Sequence, residues 1–143
     1  MKTEEKNRLY FGDCLDVLKR HIKDECVDLV YLDPPFQSGK NYNVLFEERG
    51  AGSEAQIQAF EDTWHWGPEA EAAYRELVQD AAAGPVTGLL VGIRQYLGET
   101  DKMAYLCMMA PRLVELRRVL KPTGTIYLHC DPIASHYLKL MMD

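Results

Sequence analysis

Val27-Asp28-Leu29-Val30-Tyr31-Leu32-Asp33-Pro34-Pro35-Phe36 is the stretch of this 143-residue chain on which the fold turns. Its first six residues are mostly β-prone and apolar, which reads as a buried strand. The two prolines then end it, since neither donates to a strand ladder and each fixes its own φ. What leaves the strand is a rigid, extended corner carrying one carboxylate, Asp33, and one aromatic ring, Phe36. In open α/β sheets ligands bind outside the carboxyl ends of the strands, where this corner would lie. The carboxylate and a prolyl carbonyl can accept hydrogen bonds from an NH2 group, while the ring stacks on the heterocycle bearing it. The corner suits a planar aromatic amine.

Upstream stands Leu9-Tyr10-Phe11-Gly12-Asp13-Cys14-Leu15-Asp16-Val17-Leu18, and downstream Gln37-Ser38-Gly39-Lys40-Asn41-Tyr42-Asn43. Further along are Phe60-Glu61-Asp62-Thr63-Trp64 and Arg118-Val119-Leu120-Lys121-Pro122-Thr123-Gly124-Thr125-Ile126-Tyr127-Leu128-His129-Cys130-Asp131. In this order the segments resemble the amino-group DNA methyltransferases, in the permuted class whose catalytic motif precedes the cofactor's glycine loop. The resemblance spans nearly the whole chain. It implies an α/β, partial Rossmann-like methyltransferase fold, with parallel strands flanked by helices. It also implies methyl transfer from S-adenosyl-L-methionine to adenine N6 or cytosine N4 of a base flipped out of DNA. Phenylalanine at position 36, where tyrosine is commoner in the family, does not decide between the two bases. DNA is the implied partner, together with a specificity or restriction subunit.

The resemblance assigns roles. Asp33 accepts a hydrogen bond from the target amine, Pro34 offers its carbonyl to the same group, and Pro35 keeps the corner rigid. Phe36 stacks on the base, an interaction worth roughly 1–3 kcal/mol. Asp13 accepts a bond from the cofactor's adenine amine, with Cys14 beside it contributing mainly backbone. Asp13 is equally suited to cap the following helix, and its two oxygens allow both roles. Lys40, Tyr42 and His129 are candidates for the substrate side, and Trp64 and Trp66 are expected to pack a long loop onto the domain. Ser38-Gly39-Lys40 lacks the earlier glycine of a phosphate-binding loop. Cys14, Cys26, Cys107 and Cys130 show no paired C-x-x-C spacing, so no metal site or disulfide framework is expected.

At 47% hydrophobic residues the composition is that of one globular domain. No apolar run approaches the roughly 18 residues of a membrane span. A charged N-terminus without an apolar core behind it points to the cytoplasm. The net charge of −6 has the wrong sign for tracking a polyanion, so most of any DNA-binding surface is expected outside these residues. Gly84, Gly88, Gly92 and Gly98 fall in helical patterns rather than in a cofactor loop. Residues 1–143 therefore read as the catalytic half of a methyltransferase domain, a fragment without its glycine loop and target-recognition region. The alternatives are a non-catalytic binding remnant of the same fold, or an RNA or protein amino-group methyltransferase.

The patterning predicts three parallel strands, at 8–11, 27–32 and 125–130, with Asp13, Asp33 and His129 at one common edge. Helices are expected from Asp13 through Ile22, from Pro68 to about Ala83, from Pro85 to Leu97, over 101–119 and over 133–142. Pro111 should kink or split the fourth. Residues 37–67 should form a long structureless loop, and Lys121-Pro122-Thr123-Gly124 a turn.

Overall fold

The computed structural model describes residues 7–35, 42–44, 57–60, 64–80 and 84–143. Helix α1 (Cys14–His21) starts where Asp13 Oδ1 accepts a hydrogen bond from Leu15 N at 2.7 Å, the N-cap expected of an aspartate there. A turn with Glu25 at φ 47° leads into β1 (Val27–Leu32). Two short strands, β2 (Tyr42–Val44) and β3 (Ile57–Phe60), pair antiparallel. Helices α2 (Pro68–Gln79), α3 (Pro85–Leu97) and α4 (Asp101–Val119) follow, then β4 (Leu120–Leu128) and α5 (Pro132–Met142).

β4 lies parallel to β1, with Val30 opposite Ile126, Tyr31 opposite Tyr127 and Leu32 opposite Leu128. Val27 pairs with Leu120 and Leu29 with Thr125, so five steps along β4 match two along β1. The expected turn at Lys121–Gly124 is that irregularity, taken up within the strand. Gly124 is required here: a Cβ would stand 2.7 Å from Leu120 Cδ2 and 3.0 Å from the Val27 carbonyl oxygen.

Four expectations are corrected. Arg8–Phe11 forms no strand; it is irregular and exposed, and the parallel sheet among the described residues is two-stranded. β-prone residues take strand form only where a ladder satisfies their backbone, and β1 is paired only to β4 there. The 37–67 region is not structureless throughout, since it contains β2 and β3. The strand expected at 125–130 begins earlier and ends at Leu128, although His129 N still donates to Leu32 O at 2.9 Å. Finally, of the kink or split expected at Pro111, the split does not occur, α4 running on through the proline. The Arg112 guanidinium donates to the Met108 carbonyl at 2.6 Å, near where the proline removes an N–H from the helix. Burial of Met103 to Cys107, Met109, Ala110 and Leu113 holds the helix through the missing bond.

α4 is the spine of the core: α1, α2, α3 and α5 all pack on it. The helix-facing side of the sheet contributes Leu32, Ile126 and Leu128 to that core. On the opposite side Leu29, Tyr31 and Tyr127 are 58%, 70% and 57% exposed. α2 stops at Gln79, short of the expected Ala83, while α3 matches its predicted bounds and contains Gly88 and Gly92. Trp64 meets Tyr105 edge-on at 6.0 Å, and Arg94 lies over the Trp66 and Tyr74 rings at 4.7 and 4.3 Å. Both tryptophans therefore pack the segment before α2 onto the core, as expected.

Candidate active site

β1 hands its chain to Asp33, Pro34 and Pro35 at the carboxyl end of the sheet, the prolines half-buried and the aspartate exposed. The register places His129 beside Asp33, one step past the Leu32–Leu128 pair. Their side chains meet there, His129 Nδ1 lying 2.9 Å from Asp33 Oδ1. Asp131 fixes the next turn by accepting from both Ile133 N and Ala134 N at 3.0 Å, which caps α5. His129 is thus held between a strand end and a helix start. Spacing alone did not reveal that it pairs with Asp33 across 96 residues of chain.

Asp13 has both oxygens engaged. Oδ1 caps α1, and Oδ2 accepts from Arg112 Nη2 at 2.6 Å. Arg112 was not singled out from sequence; 99 residues separate the partners, and no local pattern marks such an ion pair. At the other end of α1, Arg118 donates to the carbonyls of Leu18, at 2.9 Å, and Ile22, at 3.2 Å. α1 and α4 therefore run in the same sense, and each delivers its chain to the paired starts of β1 and β4. Asp33 and His129 meet at the finishing end of the sheet as expected, whereas Asp13, which follows no strand, caps α1 and bonds Arg112.

Cys14 is exposed at the first position of α1. Tyr42 opens β2, opposite Phe60. Phe36 and Lys40 lie outside the described residues. A cleft of about 560 Å³ runs between α1, α2 and α4; Leu15, Trp64, Glu76, Cys107 and Arg112 are among its walls, and Asp33 and His129 are not. Burial pushes the Cys107 thiol up to about 11. Burial also raises Cys130, and the Asp131 carboxylate adds to it. Among the described residues no group of His, Cys, Asp and Glu could hold a metal ion, and no helix is long and apolar enough to cross a membrane.

A carboxylate at the end of a parallel strand, followed by two prolines and steadied by an imidazole, is a hydrogen-bond acceptor site open to solvent. The DNA methylase family model matches residues 27–143, and the chain belongs to that family. It is 31% identical to the Mod subunit of the type III restriction-modification enzyme StyLTI of Salmonella typhimurium, over 96% of this chain and 18% of the relative. The EcoPI Mod subunit of Escherichia phage P1 is 29% identical over 96% of the chain and 18% of its own length. The EcoP15I Mod subunit of Escherichia coli is 26% identical over 99% and 20%. The chain thus spans about a fifth of these relatives. No solved structure matches it.

Proposed function

We propose that residues 1–143 supply the catalytic half of a DNA amino-methyltransferase that uses S-adenosyl-L-methionine. The observation that carries this reading is Asp33 at the carboxyl end of β1, its Oδ1 held 2.9 Å from His129 Nδ1. Oδ2 then receives the target amine. The Pro34 carbonyl, which no helix draws away, accepts a second bond from it. Together they fix the nitrogen with its lone pair directed at the incoming methyl group. An exocyclic amine conjugated to its ring is a weak base, and it becomes acidic only as the N–C bond forms. Positioning and stabilisation of the developing positive charge therefore carry the rate, rather than prior deprotonation. Phe36 stacks on the flipped base, and Lys40 and Tyr42 line its approach.

S-adenosyl-L-methionine supplies an electrophilic methyl group when bound. The donor set here suits its adenine end: Asp13 accepts from the adenine amine, and the Cys14 backbone lines the edge. With Oδ1 and Oδ2 already bonded to Leu15 and Arg112, Asp13 is pre-oriented for a further bond. The glycine loop for the methionine end and the target-recognition region would come from polypeptide outside residues 1–143. The net charge of −6 agrees with most DNA contacts lying there. Kinship with Mod subunits of type III restriction-modification enzymes supports a restriction subunit as partner. DNA modification of this kind belongs to the cytoplasm.

The test joins this chain to polypeptide supplying those parts and measures tritiated methyl transfer to duplex DNA, with nucleoside analysis to identify the methylated base. Asp33→Ala should abolish transfer while cofactor binding stays within about twofold. Wild-type turnover in Asp33→Ala would reduce the Asp-Pro-Pro-Phe corner to a turn.

A further inference from the structure

We infer that His129 is a positioning residue for Asp33, setting the rotation of its carboxylate so that one oxygen faces the substrate amine. The inference rests on the methyltransferase reading above and adds a residue to its machinery. Three observations carry it. First, the backbones at the two strand ends are already tied, His129 N donating to Leu32 O at 2.9 Å. The side-chain bond is therefore not needed to hold the strands together. Second, the side chains of His129 and Asp33 are 59% and 65% exposed. An exposed pair of this kind contributes little to stability. What it does fix is the side-chain torsion of Asp33, which an exposed aspartate would otherwise sample freely. Third, Asp131 pins the chain on the far side of His129 by capping α5, so the imidazole is the anchored partner and the carboxylate the oriented one.

The bond also sets the imidazole's chemistry. A carboxylate only accepts, so Nδ1 carries the hydrogen and donates it to Oδ1. In the neutral ring Nε2 then bears the lone pair. A second pair, His65 Nδ1 to Asp101 Oδ2 at 3.1 Å, is comparably exposed and joins the segment before α2 to the start of α4 rather than to β1 or β4. It provides an internal control.

Nitrogen-15 NMR of the histidine side chains in the 143-residue chain tests the pairing. The neutral ring of His129 should be the Nδ1–H tautomer, and Asp33→Ala should shift it toward Nε2–H. An unchanged tautomer overturns the inference. In the completed enzyme His129→Ala should lower kcat by about 10- to 100-fold, as expected for a misoriented reacting partner. Affinities for cofactor and DNA should stay within about twofold. His129→Asn, whose amide can still donate to Asp33, should recover much of the loss, and His65→Ala should cost nothing. Wild-type kcat in His129→Ala beside an inactive Asp33→Ala overturns the positioning role alone. Full activity in both overturns the reading of the site itself.

Discussion

The two ends of β1 are built differently. At its start, Arg118 reaches the Leu18 and Ile22 carbonyls and pairs with Asp24 and Glu115, while Lys121 bonds Asp28 at 2.7 Å. Glu25 N and Cys26 N donate to the carbonyls of Arg118 and Val119, at 3.0 and 2.9 Å. At its finish, among the described residues, stand the exposed pair of Asp33 with His129 and a proline corner. The closed end ties α1, β1, α4 and β4 into one unit. The open end leaves the Asp33 side chain 65% exposed. On the function proposed above, stability and chemistry are divided between opposite ends of the same six-residue strand.

The largest effect is expected at the closed end. Arg118→Ala removes a guanidinium whose partners are carbonyls and two carboxylates, and should cost about 3 kcal/mol by urea unfolding. A loss under about 1 kcal/mol would mean that backbone pairing alone holds this end.

Alkaline pH probes the core between the ends. Burial raises the Cys107 thiol from 9.0 to about 11, so the folded state keeps its proton after the unfolded chain has lost it. That contribution is fully present below about pH 9 and lost as pH rises toward 11, amounting to about 2–3 kcal/mol. Unfolding midpoints between pH 8 and 11 should fall accordingly in the native chain and much less in Cys107→Ala. Thiol labelling at pH 8 should modify the exposed Cys14 and Cys26 while sparing Cys107.

Gly124→Ala should cost about 1–3 kcal/mol, since the new methyl group meets the Val27 carbonyl across the irregular register. Differential scanning calorimetry would show it, and an unchanged melting temperature would mean that β4 shifts freely. The smallest stability change belongs to the open end. Asp33→Ala and His129→Ala should each move unfolding by less than about 1 kcal/mol. A larger change would make that end structural and erase the contrast.

The sheet's two faces sharpen the same point. Parallel sheets are ordinarily covered on both faces. Here Val30, Leu32, Ile126 and Leu128 turn toward the helices, while Leu29, Tyr31 and Tyr127 face solvent. A near-continuous apolar run such as Val27–Leu32 reads as buried on both sides, and only coordinates show which side is covered.

Local chemistry sufficed for much of this chain. The Asp13 and Asp131 caps, the prolines opening α2, α3 and α5, and the strand cut off before Pro34 all follow from side-chain donors, fixed φ angles and missing N–H groups within a few residues. The family resemblance likewise lay in contiguous motifs. Tertiary structure decided what depends on distant partners. Arg8–Phe11 is β-prone yet finds no ladder, and Pro111 cannot break a helix that burial holds on nearly every side. The pairs Asp13–Arg112 and Asp33–His129 join residues 99 and 96 positions apart. Propensity and capping act over one helical turn, and periodicity only along a single element. Which charged groups meet at a strand end is settled only when separate elements pack together.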